Sequence, residues 1–164
     1  MQMAREYHKG KYTPKNPTKY VGNVHNIVFR SGWEAEFMNK LDLNEDVLSW
    51  GSEEIVIPYY NPVKERMARY FPDMIIRQKE KDGSHSTVVV EIKPPNEITK
   101  PVRNRGKKAS TYMHECLTWI QNQSKWRAAA DWCQKRGATF VVVTKNNHNR
   151  FVILTEEQAI HGGR

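Results

Sequence analysis

The chain has 164 residues, 38% apolar and 27% charged, a composition that permits one domain with a real core and excludes a disordered protein. Its formal charge is +8, from 26 Lys and Arg against 18 Asp and Glu, which suits a polyanionic partner. No stretch is apolar and long enough for a membrane span or a signal peptide, and Cys116 and Cys133 lack the spacing of a disulfide framework or a zinc site, so the cytosol is the expected compartment.

The excess charge is concentrated in two stretches. Residues 1–20 hold Arg5, Lys9, Lys11, Lys15 and Lys19 against Glu6, and residues 97–108 hold Lys100, Arg103, Arg105, Lys107 and Lys108 against Glu97, a net +4 in each. Both are rich in Pro, Gly, Asn or Lys and read as loops able to follow a phosphate backbone, although a basic run can also be only a solvated segment. Residues 1–25 are therefore expected to form a basic N-terminal arm, and residues 26–164 a single domain.

In chain order, Ser31-Gly32-Trp33-Glu34 has the form of a capping box and predicts a helix from Ser31 to about Leu41, with Trp33, Phe37 and Leu41 as its apolar stripe. Val47–Trp50 and Ile55–Tyr59 read as short strands, followed by Tyr70–Ile76 and Thr87–Ile92, the last two joined through a hairpin turn at Asp82-Gly83. Met113, Cys116, Leu117 and Ile120 predict a helix capped near Ser110. Trp126, Ala129, Ala130 and Cys133 predict a second one, from Ser124 to Gly137, and both cysteines read as buried thiols. Thr139–Thr144 and Phe151–Leu154 complete the strands, and Thr155-Glu156-Glu157 opens a short last helix. The order predicts an α/β fold, a mixed central β-sheet flanked by helices.

Two motifs carry the chemistry: Phe71-Pro72-Asp73 and Val90-Glu91-Ile92-Lys93, each placed by the pattern at the end of a buried strand. Side chains alternate along a strand, so Glu91 and Lys93 share one face while Val88, Val90 and Ile92 pack on the other. If Asp73 ends the neighbouring strand, two carboxylates converge, and two such anions need a compensating cation. Mg²⁺ suits them, as a hard ion that takes oxygen ligands. The plainer alternatives are that Asp73 closes a turn after Pro72 and that Glu91 and Lys93 form a surface ion pair. Glu34 likewise reads either as a helix cap or as a third acid at the site, with Arg30 close by.

A helical Glu, then Pro-Asp, then Glu-x-Lys resembles the PD-(D/E)xK, restriction-endonuclease-like superfamily. The wider text is similar to the head-completion nucleases of T-even-type phages from about Lys9 to Glu157, through Lys11-Tyr12-Thr13-Pro14, Phe29-Arg30-Ser31-Gly32-Trp33-Glu34, Trp50-Gly51-Ser52-Glu53-Glu54, Ile57-Pro58-Tyr59, Arg69-Tyr70-Phe71-Pro72-Asp73, Glu91-Ile92-Lys93-Pro94 and Lys125-Trp126. One departure is that Pro95, Asn96 and Glu97 stand where such relatives are expected to carry a Gln.

The resemblance implies a Mg²⁺-dependent nuclease, with Mn²⁺ able to substitute. Glu34, Asp73, Glu91 and Lys93 would be its catalytic residues. Asp73, Glu91, the carbonyl of Ile92 and Glu34 would hold the metal. Arg30, Lys100, Arg103, Arg105, Lys107 and Lys108 would bind double-stranded DNA. It also implies action on packaged DNA in the host cytoplasm during assembly, association with the virion, and portal or neck proteins of the head as partners. Two rival readings stay open: a non-catalytic DNA-binding head–tail joining protein, and a TnsA-like or repair endonuclease of the same superfamily.

Overall fold

The computed structural model describes residues 9–160. In chain order its elements are β1 (Gly10–Lys11), β2 (Val28–Phe29), α1 (Gly32–Leu43), β3 (Val47–Ser52), β4 (Ile57–Asn61), β5 (Arg66–Tyr70), β6 (Met74–Lys79), β7 (His85–Ile92), α2 (Pro95–Ile98), α3 (Ala109–Gln134), β8 (Thr139–Lys145), β9 (Phe151–Thr155) and α4 (Glu156–Ile160). Five strands form a central sheet in the order β3-β6-β7-β8-β9, with β7 and β8 parallel and the other neighbours antiparallel. The expected α/β fold with a mixed, helix-flanked sheet is the one observed.

Strand alternation divides the core in two. Val90 and Ile92 of β7 and Val141 and Val143 of β8 join Met38 and Leu41 of α1 on one face. Val89, Phe140 and Val142 meet Trp126, Ala129 and Cys133 of α3 on the other. Ser31 caps α1 as its sequence foretells, its side chain accepting from the Glu34 amide at 3.2 Å. Gly83, at φ +86°, makes the five-residue turn between β6 and β7 that Asp82-Gly83 signals.

Two expected elements are corrected. Tyr70–Ile76 is not one strand. Tyr70 ends β5, which pairs with β4 in a separate hairpin, and β6 begins only at Met74. Pro72 offers no amide for a ladder, so the chain turns at Phe71-Pro72-Asp73 and passes from the hairpin into the sheet. Asp73 thus stands at the start of its strand, and it reaches the end of β7 because the two strands are antiparallel.

The two helices expected around Ser124 are one, α3, 26 residues long. Gln121-Asn122-Gln123-Ser124 breaks the apolar pattern but contains no Gly or Pro, and polarity alone does not end a helix. Asn122 and Gln123 are buried there, and the Ser124 hydroxyl donates to the Tyr60 carbonyl at 2.6 Å instead of capping. The N-cap position is Lys108, not Ser110, and no side chain caps it. At the other end the Ala138 amide bonds the Cys133 carbonyl at 2.9 Å, with Gly137 at φ +66°, a Schellman stop. The first half of α3 does not bury its apolar stripe: Met113, Leu117 and Ile120 are 59%, 37% and 41% exposed, and Cys116 is only partly buried while Cys133 is fully so.

Within residues 9–25, the described part of the expected arm, several groups bond the end of α1. The amides of Lys15 and Asn16 donate to the buried carboxylate of Asp42, and the Lys19 ammonium bonds the carbonyls of Leu41, Asp42 and Asn44 at the end of α1. A cation suits that helix end, where carbonyls lack partners. The rest of the expected arm, with Arg5 and Glu6, lies outside the described residues.

Candidate active site

The register places the two motifs side by side. Met74 pairs with Val90, both facing the α1 side, so the next positions, Asp73 and Glu91, face the α3 side together. Asp73 Oδ2 accepts from the Ile92 amide at 2.7 Å, and Lys93 donates its amide to the Val143 carbonyl at 2.9 Å, which fixes the end of β7 between its neighbours. Glu91 is buried. Its Oε2 accepts from the Tyr70 hydroxyl at 2.6 Å, and its Oε1 lies 3.4 Å from Lys93 Nζ. Sequence reasoning missed Tyr70, whose position in Arg69-Tyr70-Phe71-Pro72-Asp73 gave no hint that the hairpin reaches Glu91.

The site carries more negative charge than its surroundings neutralise. Burial, then repulsion from Glu91 and Glu34, raises the Asp73 carboxyl well above the ordinary carboxylate range, and the Ile92 amide and Lys93 only partly offset this. Burial also raises Glu34, with Glu53 and Glu91 adding to it against the Arg30 amide and guanidinium. Burial alone would lower the pKa of Lys93. The fields of Glu91, Glu97 and Asp73 outweigh it and leave the ammonium firmly protonated. Tyr70, buried against Glu91, is raised well above the usual range and stays a phenol.

Glu34 occupies both of its expected surroundings. Its Oε2 accepts from the Arg30 amide at 3.0 Å, so it serves the start of α1, and its charge also acts on the site, adding to the rise of the Asp73 carboxyl. Among the described residues, no three acid, His or Cys side chains close on a single metal-sized point. Asp73 and Glu91 line one cleft together, and Glu34 lines the adjoining one with Ile92 and Lys93. The donor set still fits a hard divalent cation: every available ligand is oxygen, and the Asp73 carboxyl is held in a field that a cation would relieve.

Lys125 is a second residue the sequence did not single out for the site, although Lys125-Trp126 belongs to the resemblance. From α3 its ammonium lies 5.8 and 5.7 Å from the ring centres of Tyr59 and Tyr70, in the same cleft as Asp73, Glu91, Arg30 and Arg69. Burial lowers its pKa, and Glu91 works against that. Arg30 lines the cleft too, paired with Glu53 at 3.1 Å.

The basic loop lies beyond Lys93, where α2 places Glu97 beside the ammonium. Of its cations, Lys100, Arg105 and Lys108 are exposed, and Arg103 lies 5.7 Å from the Tyr112 ring centre. Lys107 has a different task from the one expected. Its ammonium bonds the Val102 carbonyl at 2.9 Å and Glu115 at 2.6 Å, pinning the loop to α3.

A mixed five-stranded sheet with acids meeting at the ends of two adjacent central strands is the arrangement of the restriction-endonuclease-like fold. The chain belongs to the TnsA-like endonuclease family, whose N-terminal-domain model matches residues 44–145. That span includes Asp73, Glu91, Lys93 and Lys125 and leaves out Glu34. The chain is also similar to the head completion nuclease of Enterobacteria phage T4, with 38% identity over 144 residues, covering 85% of this chain and 92% of that protein. No solved structure gives a significant match.

Proposed function

We propose that this protein is a divalent-metal-dependent DNA nuclease acting in phage head completion, with Mg²⁺ as its ion and Mn²⁺ as a substitute. The contact set formed by Asp73, Glu91 and Lys93 at the mouth of β6 and β7 carries this reading. Likeness to a T4 head completion nuclease along most of both chains supplies the biological setting.

Asp73 and Glu91 would hold the ion, with the Ile92 carbonyl as a further oxygen ligand and Glu34 near enough to support it. Bound there, the ion supplies Lewis acidity toward water and phosphate. Lys93, kept protonated by the acids around it, orients the attacking water and offsets the negative charge on the phosphoryl oxygens during the in-line displacement. Tyr70 donates to Glu91 and fixes the carboxylate, so the site is held in shape before substrate arrives. Arg30 and Lys125 line the cleft, and Lys100, Arg103, Arg105 and Lys108 extend the positive surface along the loop. These cations contact a phosphate backbone without reading bases, so sequence preference is weak. The substrate in this reading is packaged double-stranded DNA, trimmed in the host cytoplasm so that a filled head can join its tail, with portal or neck proteins as partners.

A plasmid-nicking assay with and without Mg²⁺ tests the reading. The wild type cleaves only with the ion, and Lys93→Ala loses cleavage by about a hundredfold or more while keeping its circular-dichroism spectrum. DNA binding with no turnover in the wild type would instead identify a non-catalytic joining protein.

A further inference from the structure

The cleft that contains Asp73 and Glu91 is lined also by Phe71, to which its chemistry gives no role. Phe71 is 43% exposed, although Tyr70 before it is only 4% exposed and Pro72 after it is buried. Those neighbours fix the backbone, so the ring is held out into the cleft at a defined place. Arg69 covers it in part, its guanidinium 5.8 Å from the ring centre. Of the two exposed large aromatics among the described residues, the other is Tyr60, which does not line this cleft. Every other side chain around Phe71 there except the Tyr70 ring is charged.

One residue, Pro72, separates Phe71 from Asp73, so their Cα atoms are at most about 7 Å apart, a nucleotide's scale, and both side chains line the one cleft. A phosphate at the carboxylates, held by Lys125 and Arg30, therefore brings an adjoining base to the Phe71 ring. In an intact duplex both faces of that base are covered by its neighbours. Only a base already out of the stack can offer a face to the ring.

We infer that Phe71 is a stacking platform for an unpaired base next to the scissile phosphate, and that the substrate cut best is locally unpaired DNA, such as a frayed end or a single-stranded stretch. Arg69 backs the ring and supplies charge to the adjoining phosphate. This inference rests on the proposed nuclease reading and narrows its substrate class.

The test uses one labelled sequence as single strand, splayed-end duplex and blunt duplex, with wild type, Phe71→Ala, Phe71→Leu and Phe71→Trp. Binding is read by fluorescence anisotropy with Ca²⁺ in place of Mg²⁺, and cleavage with Mg²⁺. Wild type and Phe71→Trp should favour the splayed and single-stranded forms. Phe71→Ala and Phe71→Leu should bind those two about tenfold more weakly with blunt-duplex binding unchanged, because leucine keeps apolar bulk but has no face to stack. A wild type that prefers blunt duplex, a Phe71→Leu that behaves as wild type, or an Ala variant equally weakened on all three would overturn the inference. Absence of cleavage in the wild type contradicts the nuclease reading, whereas the binding preferences still report on Phe71.

Discussion

Asp73 shows most clearly what the site costs the fold. Its carboxyl is raised by burial and by two neighbouring acids, so in the folded protein it holds its proton to higher pH than in the unfolded chain. The sign follows from linkage: this group favours folding at pH below the ordinary carboxylate pKa, and that contribution is lost as pH rises through the folded value. In metal-free protein, Asp73→Asn should raise the melting temperature at neutral pH by a few degrees and flatten the stability gain seen on mild acidification. The asparagine carbonyl can still accept from the Ile92 amide. The same variant should lose cleavage. Thermal unfolding in EDTA from pH 5 to 8 checks the first part, and a melting temperature that falls at neutral pH would contradict the electrostatic account. Glu91, Lys93 and Asp73 were legible as residue types at a spacing, because strand alternation alone groups them. Tyr70 and Lys125 were not, since they reach the site from a hairpin and a helix whose approach no local pattern encodes.

Among the elements, α3 ties the two halves of the site together. Its second half packs Trp126, Ala129 and Cys133 on the sheet and carries Lys125, the residue before Trp126, to the carboxylate cleft. Trp126 is fully buried, and Trp126→Ala should destabilise the protein by about 3–5 kcal/mol, measured by urea denaturation. A loss below about 1 kcal/mol would show that α3 is not the anchor this packing implies. The helix looks like two in sequence because four polar residues interrupt the apolar period, a signal that marks a boundary only when Gly or Pro accompanies it. The chain path at Phe71-Pro72-Asp73 hides for the opposite reason: the apolar run is continuous in sequence, and only the missing amide of Pro72 marks the break. The capping of α1 and the Asp82-Gly83 turn were readable because both are set by residues in direct sequence contact.

For the whole molecule, the sheet order brings the start of β6 and the end of β7 to one mouth, and Arg30, Arg69 and Lys125 line the cleft there. Lys19 and Lys107 serve internal contacts, so the net charge of +8 overstates the cations free to meet DNA. The salt dependence of DNA binding should accordingly be less steep than a charge of +8 would give. The logarithm of affinity should fall linearly with the logarithm of salt concentration, the slope shrinking by about 1 on Lys125→Ala. Lys107→Ala should instead loosen the basic loop, seen as faster amide exchange across residues 99–107. An unchanged salt slope in Lys125→Ala would remove that residue from the DNA path.

The central claim is that Asp73 and Glu91 hold the divalent ion on which cleavage depends. The most direct measurement is an anomalous difference map from crystals soaked in Mn²⁺, of wild type and of Glu91→Gln. A peak bounded by the Asp73 and Glu91 carboxylates in the wild type, absent in Glu91→Gln, is the predicted result. A wild-type map with no peak there at saturating Mn²⁺, or a peak that survives in Glu91→Gln, would contradict the account.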